Sequence, residues 1–208
     1  MEDRPVVGEG VEEAGWYLAV GVPLGRWLDP ANAEGRAGAL IRRGDQFTVI
    51  DLDTLDVFLA ALTPIRWTEL VGVAAESGVA DPAALVASLQ RDGLVVRFNL
   101  EEPDSVAALQ RLRLQTLGVG LGNDKDGEPD TFVIGDHHLT PLLTCDGLTY
   151  TIWAASDGRS LGAVCGELAR GYSMPPEAVL RHALQVLPEL LAARVAFLDA
   201  APTGRSDD

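Results

Sequence analysis

Hydrophobic and polar positions along the chain divide it into short strands and amphipathic helices, and the division occurs twice. Residues 16–20, from Trp16 to Val20, form a β-favouring run that predicts a strand. A turn or short helix is expected over residues 28–35. Residues 39–42 and 47–50 are β-favouring runs on either side of Arg43, Gly44 and Asp45, which predicts a hairpin. Three helices are expected next. Asp51 or Asp53 can cap the first, over residues 54–62, where Leu55, Phe58, Leu59 and Leu62 share one face before Pro64 stops it. The second, about residues 66–77, turns Trp67, Leu70, Val71 and Ala74 inward and ends at Gly78. Asp81 and Pro82 open the third, with Leu85 and Leu89 inward, and Asp92-Gly93 turns into a returning strand over residues 94–98.

Residues 101–117 read as a capped linker helix carrying Val106, Leu109, Leu112, Leu114 and Leu117, and residues 118–130 as a Gly and Asp loop. Beyond them the pattern returns. Residues 131–134 and 139–143 repeat the hairpin around Gly135, Asp136, His137 and His138. Asp146 caps a helix with Leu148, Ile152 and Trp153, as Asp53 would cap one with Leu55 and Leu59, an offset of 93. Val164 follows Leu70, and Pro176 follows Pro82, at an offset of 94. The third helix of the second copy is longer, about residues 176–193, before a final strand over residues 195–199. Hairpin, three helices and a returning strand outline a winged helix. The expected fold class is therefore α+β, with tandem winged-helix-like modules at residues 16–100 and 131–200. Residues 101–130 would link them, between a disordered acidic N-terminus (residues 1–15) and a flexible tail (residues 201–208).

Composition adds limits rather than chemistry. With 208 residues, 47% of them hydrophobic and 23% charged, the chain has the make-up of a folded protein. Its start is acidic, with no basic stretch leading into an apolar run, so no signal or transit peptide is expected there. No stretch approaches the roughly 18 consecutive apolar residues that a membrane helix needs. Cys145 and Cys165 are too few for a disulfide framework, and the cytoplasm is the expected compartment. The net charge of −15 argues against nucleic acid, because phosphate backbones are bound by clustered Lys and Arg and the chain has one lysine, Lys125.

No catalytic, metal or cofactor site emerges. Gly118-Val-Gly-Leu-Gly122 precedes an acidic turn rather than a helix, so it is expected to be a hinge and not a phosphate cradle. Asp124, Asp126 and Asp130 offer oxygen ligands to calcium but lack the spacing and the bidentate Glu of an EF-hand. His137 and His138 fall in a turn and His182 on a helix, with no close cysteine pair to complete a zinc site. Ser160 has no nucleophile-elbow pattern, and Cys165 lies inside a helix. The chain is not expected to be an enzyme.

In the second copy, Asp146-Gly-Leu, Ile152-Trp153, Asp157-Gly158 with Ser160-Leu161, Glu167-Leu-Ala169, Pro176-Glu-Ala-Val-Leu180 and the closing Leu190-Leu191 stand in an order that resembles the PqqD-like family, over residues 131–200. That family supplies the recognition element for leader peptides of ribosomally made, modified peptides. The resemblance implies an adaptor that captures a precursor peptide and presents it to a separate modifying enzyme. The peptide would add as a strand to the edge formed by Leu139, Pro141, Leu142, Leu143 and Thr144, against a wall from Val179, His182, Ala183 and Val186. The first copy is then left as a docking or dimerisation surface, which makes a homodimer one expected assembly. Two alternatives are a tandem winged-helix scaffold subunit of a larger complex and a winged-helix transcription regulator. The regulator's recognition helices would carry only Arg91, Arg181 and His182.

Overall fold

The alternating pattern of residues 16–20 becomes the centre of the molecule. The computed structural model describes residues 15–28, 37–124 and 129–201; the expected disordered N-terminus and flexible tail, most of the residue 28–35 turn, Lys125 and Asp126 lie outside them. The described part is a mixed α+β protein with seven helices and small antiparallel sheets. It begins with β1 (Trp16–Ala19), β2 (Val22–Leu28), β3 (Ala37–Arg43) and β4 (Gln46–Asp51). Then come α1 (Leu52–Ala60), α2 (Trp67–Glu76), α3 (Pro82–Arg91) and β5 (Val95–Phe98). After α4 (Pro103–Leu109) the order returns as β6 (Leu112–Thr116), β7 (Val119–Asn123), β8 (Thr131–Gly135) and β9 (Pro141–Asp146). It closes with α5 (Gly147–Ala154), α6 (Leu161–Tyr172), α7 (Pro176–Ala192) and β10 (Ala196–Ala200).

In both halves the first strand pairs antiparallel with the last, β1 with β5 and β6 with β10. The strands between form three-stranded sheets in the orders β2-β3-β4 and β7-β8-β9. Helix starts follow the capping chemistry. Asp51 accepts from the Thr54 amide at 2.7 Å, Asp146 from the Thr149 amide at 2.8 Å and Asp81 from the Ala84 amide at 3.0 Å. Asp51, rather than Asp53, is thus the counterpart of Asp146, because a cap must stand just before the first helical turn. α7 has 17 residues and α3 has 10, so the second copy gains two turns.

Two predicted elements differ. The helix expected over residues 101–117 ends at Leu109, and Leu112–Thr116 is instead a strand whose Leu114 stands opposite Leu198. Pairing with a partner far along the chain overrides the local helical pattern. The expected Gly loop contains β7, paired with β8. Glycine is required at position 120 because an added Cβ would lie 2.0 Å from the Tyr150 hydroxyl oxygen.

Two cores result, and β1 divides them. Tyr17 and Ala19 enter the first core with Ile41, Phe58, Leu70 and Leu94. Leu18 and Val20, on the opposite face, enter the second with Leu114, Ile152, Leu161 and Leu187. The halves also meet through backbone pairing, the Gly21 amide donating to the Leu198 carbonyl at 2.8 Å. Asp199 completes the junction. Its fully buried carboxylate accepts from the Gly44 amide at 2.6 Å and from Arg113 Nη2 at 2.6 Å, with Arg42 Nη1 3.5 Å away.

Candidate functional site

Each meander sheet ends on a strand with an open side, β4 in the first copy and β9 in the second, among the described residues. The two-residue turn Gly44-Asp45, with Gly44 at φ 61°, makes Arg43 and Gln46 the first hydrogen-bonded pair of the β3–β4 hairpin. Alternation from that pair turns the peptide groups of Thr48 and Ile50 towards β3 and those of Phe47, Val49 and Asp51 towards the open side. An extended chain laid there finds donors and acceptors at every second residue. Phe47 and Val49 are also 62% and 53% exposed, an apolar rim on the outer face of the sheet.

Beside this edge runs α3, and between them is a cleft of about 300 Å³. Ile50, Leu85, Leu89 and Leu94 give it an apolar floor, with the Ser88 side chain on its wall. Acids stand at its two ends. Asp51 closes β4, while Asp92, at the C-terminus of α3, is drawn to the start of β4 by Arg43, whose guanidinium donates to the Asp92 carbonyl and to Gln46. That contact sets the spacing between the hairpin and α3. Gly93, next to it, takes a φ of 68°, in the left-handed region that favours glycine.

The corresponding place in the second copy lies between β9 and α7, where the sequence put the peptide site. Leu139 and Leu142 are 64% and 43% exposed, Pro141 and Thr144 are exposed, and Leu143 is half-buried against the core. Leu139 takes a positive φ of 64° in a turn organised by Asp136, which accepts from the amides of His138 and Thr140, each at 2.9 Å. These hydrogen bonds, that from the Thr140 amide foremost, hold the Asp136 carboxyl below its ordinary pKa. The intended wall divides. Val179 and Ala183 are buried in the second core, and only His182 and Val186 keep partial exposure.

His182 is tied down. Thr149 Oγ1 donates to Asp146 Oδ2 at 3.0 Å, so it accepts from His182 Nε2–H at 2.9 Å, and the same nitrogen is 3.5 Å from Asp146 Oδ1. Partial burial would raise the Asp146 pKa, but the amide and hydroxyl of Thr149 and the nearby imidazole outweigh it and lower the value. The ring thereby links α7 to the β9–α5 junction. Aligning the two copies in sequence at Pro82 and Pro176 sets Ser88 opposite His182. The Ser88 hydroxyl turns instead to Asp92 Oδ2, at 3.4 Å.

Remaining candidate groups stay apart. No group of three His, Cys, Asp or Glu side chains is placed to hold a metal among the described residues. His137 and His138 stack on each other in the turn, with centroids 3.9 Å apart. Burial pushes both thiols, Cys145 and Cys165, up to about 11. No helix among the described residues is long and apolar enough to cross a membrane. Compared with protein-family models, curated proteins and solved structures, the chain matches none.

The sequence drew attention to the second copy and passed over the cleft of the first. Its signal was present in Phe47 and Val49, two large apolar side chains at alternate positions of a hairpin strand, and in the absence of a large side chain at Ser88.

Proposed function

We propose that this chain is a non-catalytic adaptor of two winged-helix-like modules, related in design to PqqD-like recognition elements. It captures an extended leader segment of a precursor peptide and presents it to a separate modifying enzyme. The observation that carries this reading is an open strand edge running beside a helix with a cleft between them. Edge addition supplies backbone hydrogen bonds whatever the peptide sequence, and the cleft selects the side chains.

The direct test is calorimetric titration of the full chain with synthetic peptides tiled along the leader of any short precursor encoded beside it. Saturable binding at tens of micromolar or tighter is expected, the range open to a short strand with a few anchored side chains. No binding there would sink the adaptor.

A second reading, a scaffold subunit of a larger complex, is favoured by a different feature. An apolar groove of about 380 Å³ lies where the copies meet, with Leu59 and Leu117 exposed at its margins and Phe197 beside them. On that reading the chain retains no free peptide and instead co-purifies stoichiometrically with a partner subunit.

A further inference from the structure

Two strand edges, β4 beside α3 and β9 beside α7, occupy corresponding places in the two copies, and they differ at the position shared by Ser88 and His182. We propose that the cleft open to a peptide is that of the first copy, between β4 and α3, and that it selects an extended segment in which apolar residues are joined by a basic one at the Asp51 end. The inference rests on the adaptor reading above and adds to it the site and the chemistry of the ligand.

In the second copy the imidazole of His182 reaches Thr149 and Asp146, so the place a peptide side chain would enter is bridged by protein. In the first, Thr54 and Asp51 hold the positions of Thr149 and Asp146, but the shorter Ser88 side chain bonds to Asp92 instead. The cleft there remains open, at about 300 Å³. That is room for an aliphatic side chain or two, and the floor of Ile50, Leu85 and Leu89 suits them.

Charge decides what flanks those side chains. A strand added along β4 runs from Asp92 at one end of the cleft to Asp51 at the other, on a chain whose net charge is −15. At the Asp92 end the guanidinium of Arg43 donates to two neutral acceptors, the Asp92 carbonyl and Gln46, and so keeps its positive charge beside that carboxylate. A lysine or arginine next to the apolar residues meets the Asp51 carboxylate at the other end, and the field of the whole protein speeds its approach. An acidic segment meets repulsion at the Asp51 end.

The experiment pans a displayed library of random peptides of about ten residues, longer than the usual strand, against the full chain and three variants. Enriched peptides should combine aliphatic and basic residues and bind at one equivalent per chain. Ser88→His, which builds the bridge of the second copy into the first, should weaken them by at least about tenfold. Asp51→Asn keeps an oxygen for the helix cap, so it isolates the charge; it should weaken binding several-fold and flatten the dependence on salt. Thr144→Pro, on the β9 edge, should change nothing, and unaltered circular dichroism confirms that each variant folds. Peptides that survive Ser88→His and are lost with Thr144→Pro would overturn the inference and leave the adaptor standing. Enrichment of acidic peptides would overturn the ligand chemistry. A library from which nothing is enriched would overturn both the inference and the adaptor.

Discussion

Asp146 shows how a single side chain serves local structure and wider packing together. It caps α5 by accepting the Thr149 amide on Oδ1, with His182 Nε2 near the same oxygen, and accepts the Thr149 hydroxyl on Oδ2. Its pKa is lowered in the folded protein, so between the folded and unfolded values the unfolded chain binds more protons. The stability it confers is therefore complete above about pH 4, where an unfolded Asp is ionised, and is lost as pH falls through the folded value. Asp146→Ala should cost about 1 kcal/mol, the usual worth of an N-cap. The measurement is urea unfolding at neutral pH and at acid pH, and the gap between wild type and variant should narrow in acid. Cys145 and Cys165 behave oppositely to reactive thiols. With both pushed up to about 11, about one thiol in a thousand is ionised at pH 8. Alkylation of the native protein should be slow, and unfolding should release both to rapid labelling.

At the scale of elements, the contrast lies between strands that end a sheet and helices that close a core. Leu187 of α7 is buried in the second core, whereas Phe47 of β4 stands in solvent. Leu187→Ala should cost about 2–5 kcal/mol, from lost burial and the cavity left behind. Phe47→Ser should stay within about 0.5 kcal/mol, as surface changes do. Denaturant midpoints of the two variants settle the comparison, and a large loss at Phe47 would mean that the outer face of the sheet is covered. The same contrast accounts for the elements that the pattern misassigned. Leu109, Leu112 and Leu114 satisfy a loose helical spacing as readily as an alternating one. Only β10, more than eighty residues away in the sequence, selects the strand.

Across the whole molecule, β1 and Asp199 make the two copies interdependent. One strand feeds both cores, and one buried carboxylate joins the last strand to the first copy's hairpin turn and to β6. Calorimetry should accordingly show one unfolding transition, with van't Hoff and calorimetric enthalpies in agreement. Asp199→Ala leaves the Arg113 guanidinium and the Gly44 amide without their acceptor and should cost about 3–5 kcal/mol. Two separated transitions in the wild-type protein would show that the copies fold independently.

Caps at Asp81 and Asp146, the hairpin turns and the amphipathic faces of six helices are legible in the linear chain, because they depend on neighbours a few residues apart, and the offset that relates Pro82 to Pro176 is legible as repetition. Long-range packing accounts for what remains. Whether Leu112–Thr116 is helix or strand, that β1 lies between two cores, and that Val179 and Ala183 face inward while His182 bridges to Thr149 all depend on groups distant in the chain. The state of the two strand edges belongs with these. Ser88 draws no notice in sequence and His182 reads as part of a peptide wall; only the packing of each helix against its strand edge leaves a cleft beside Ser88 and ties His182 to Thr149.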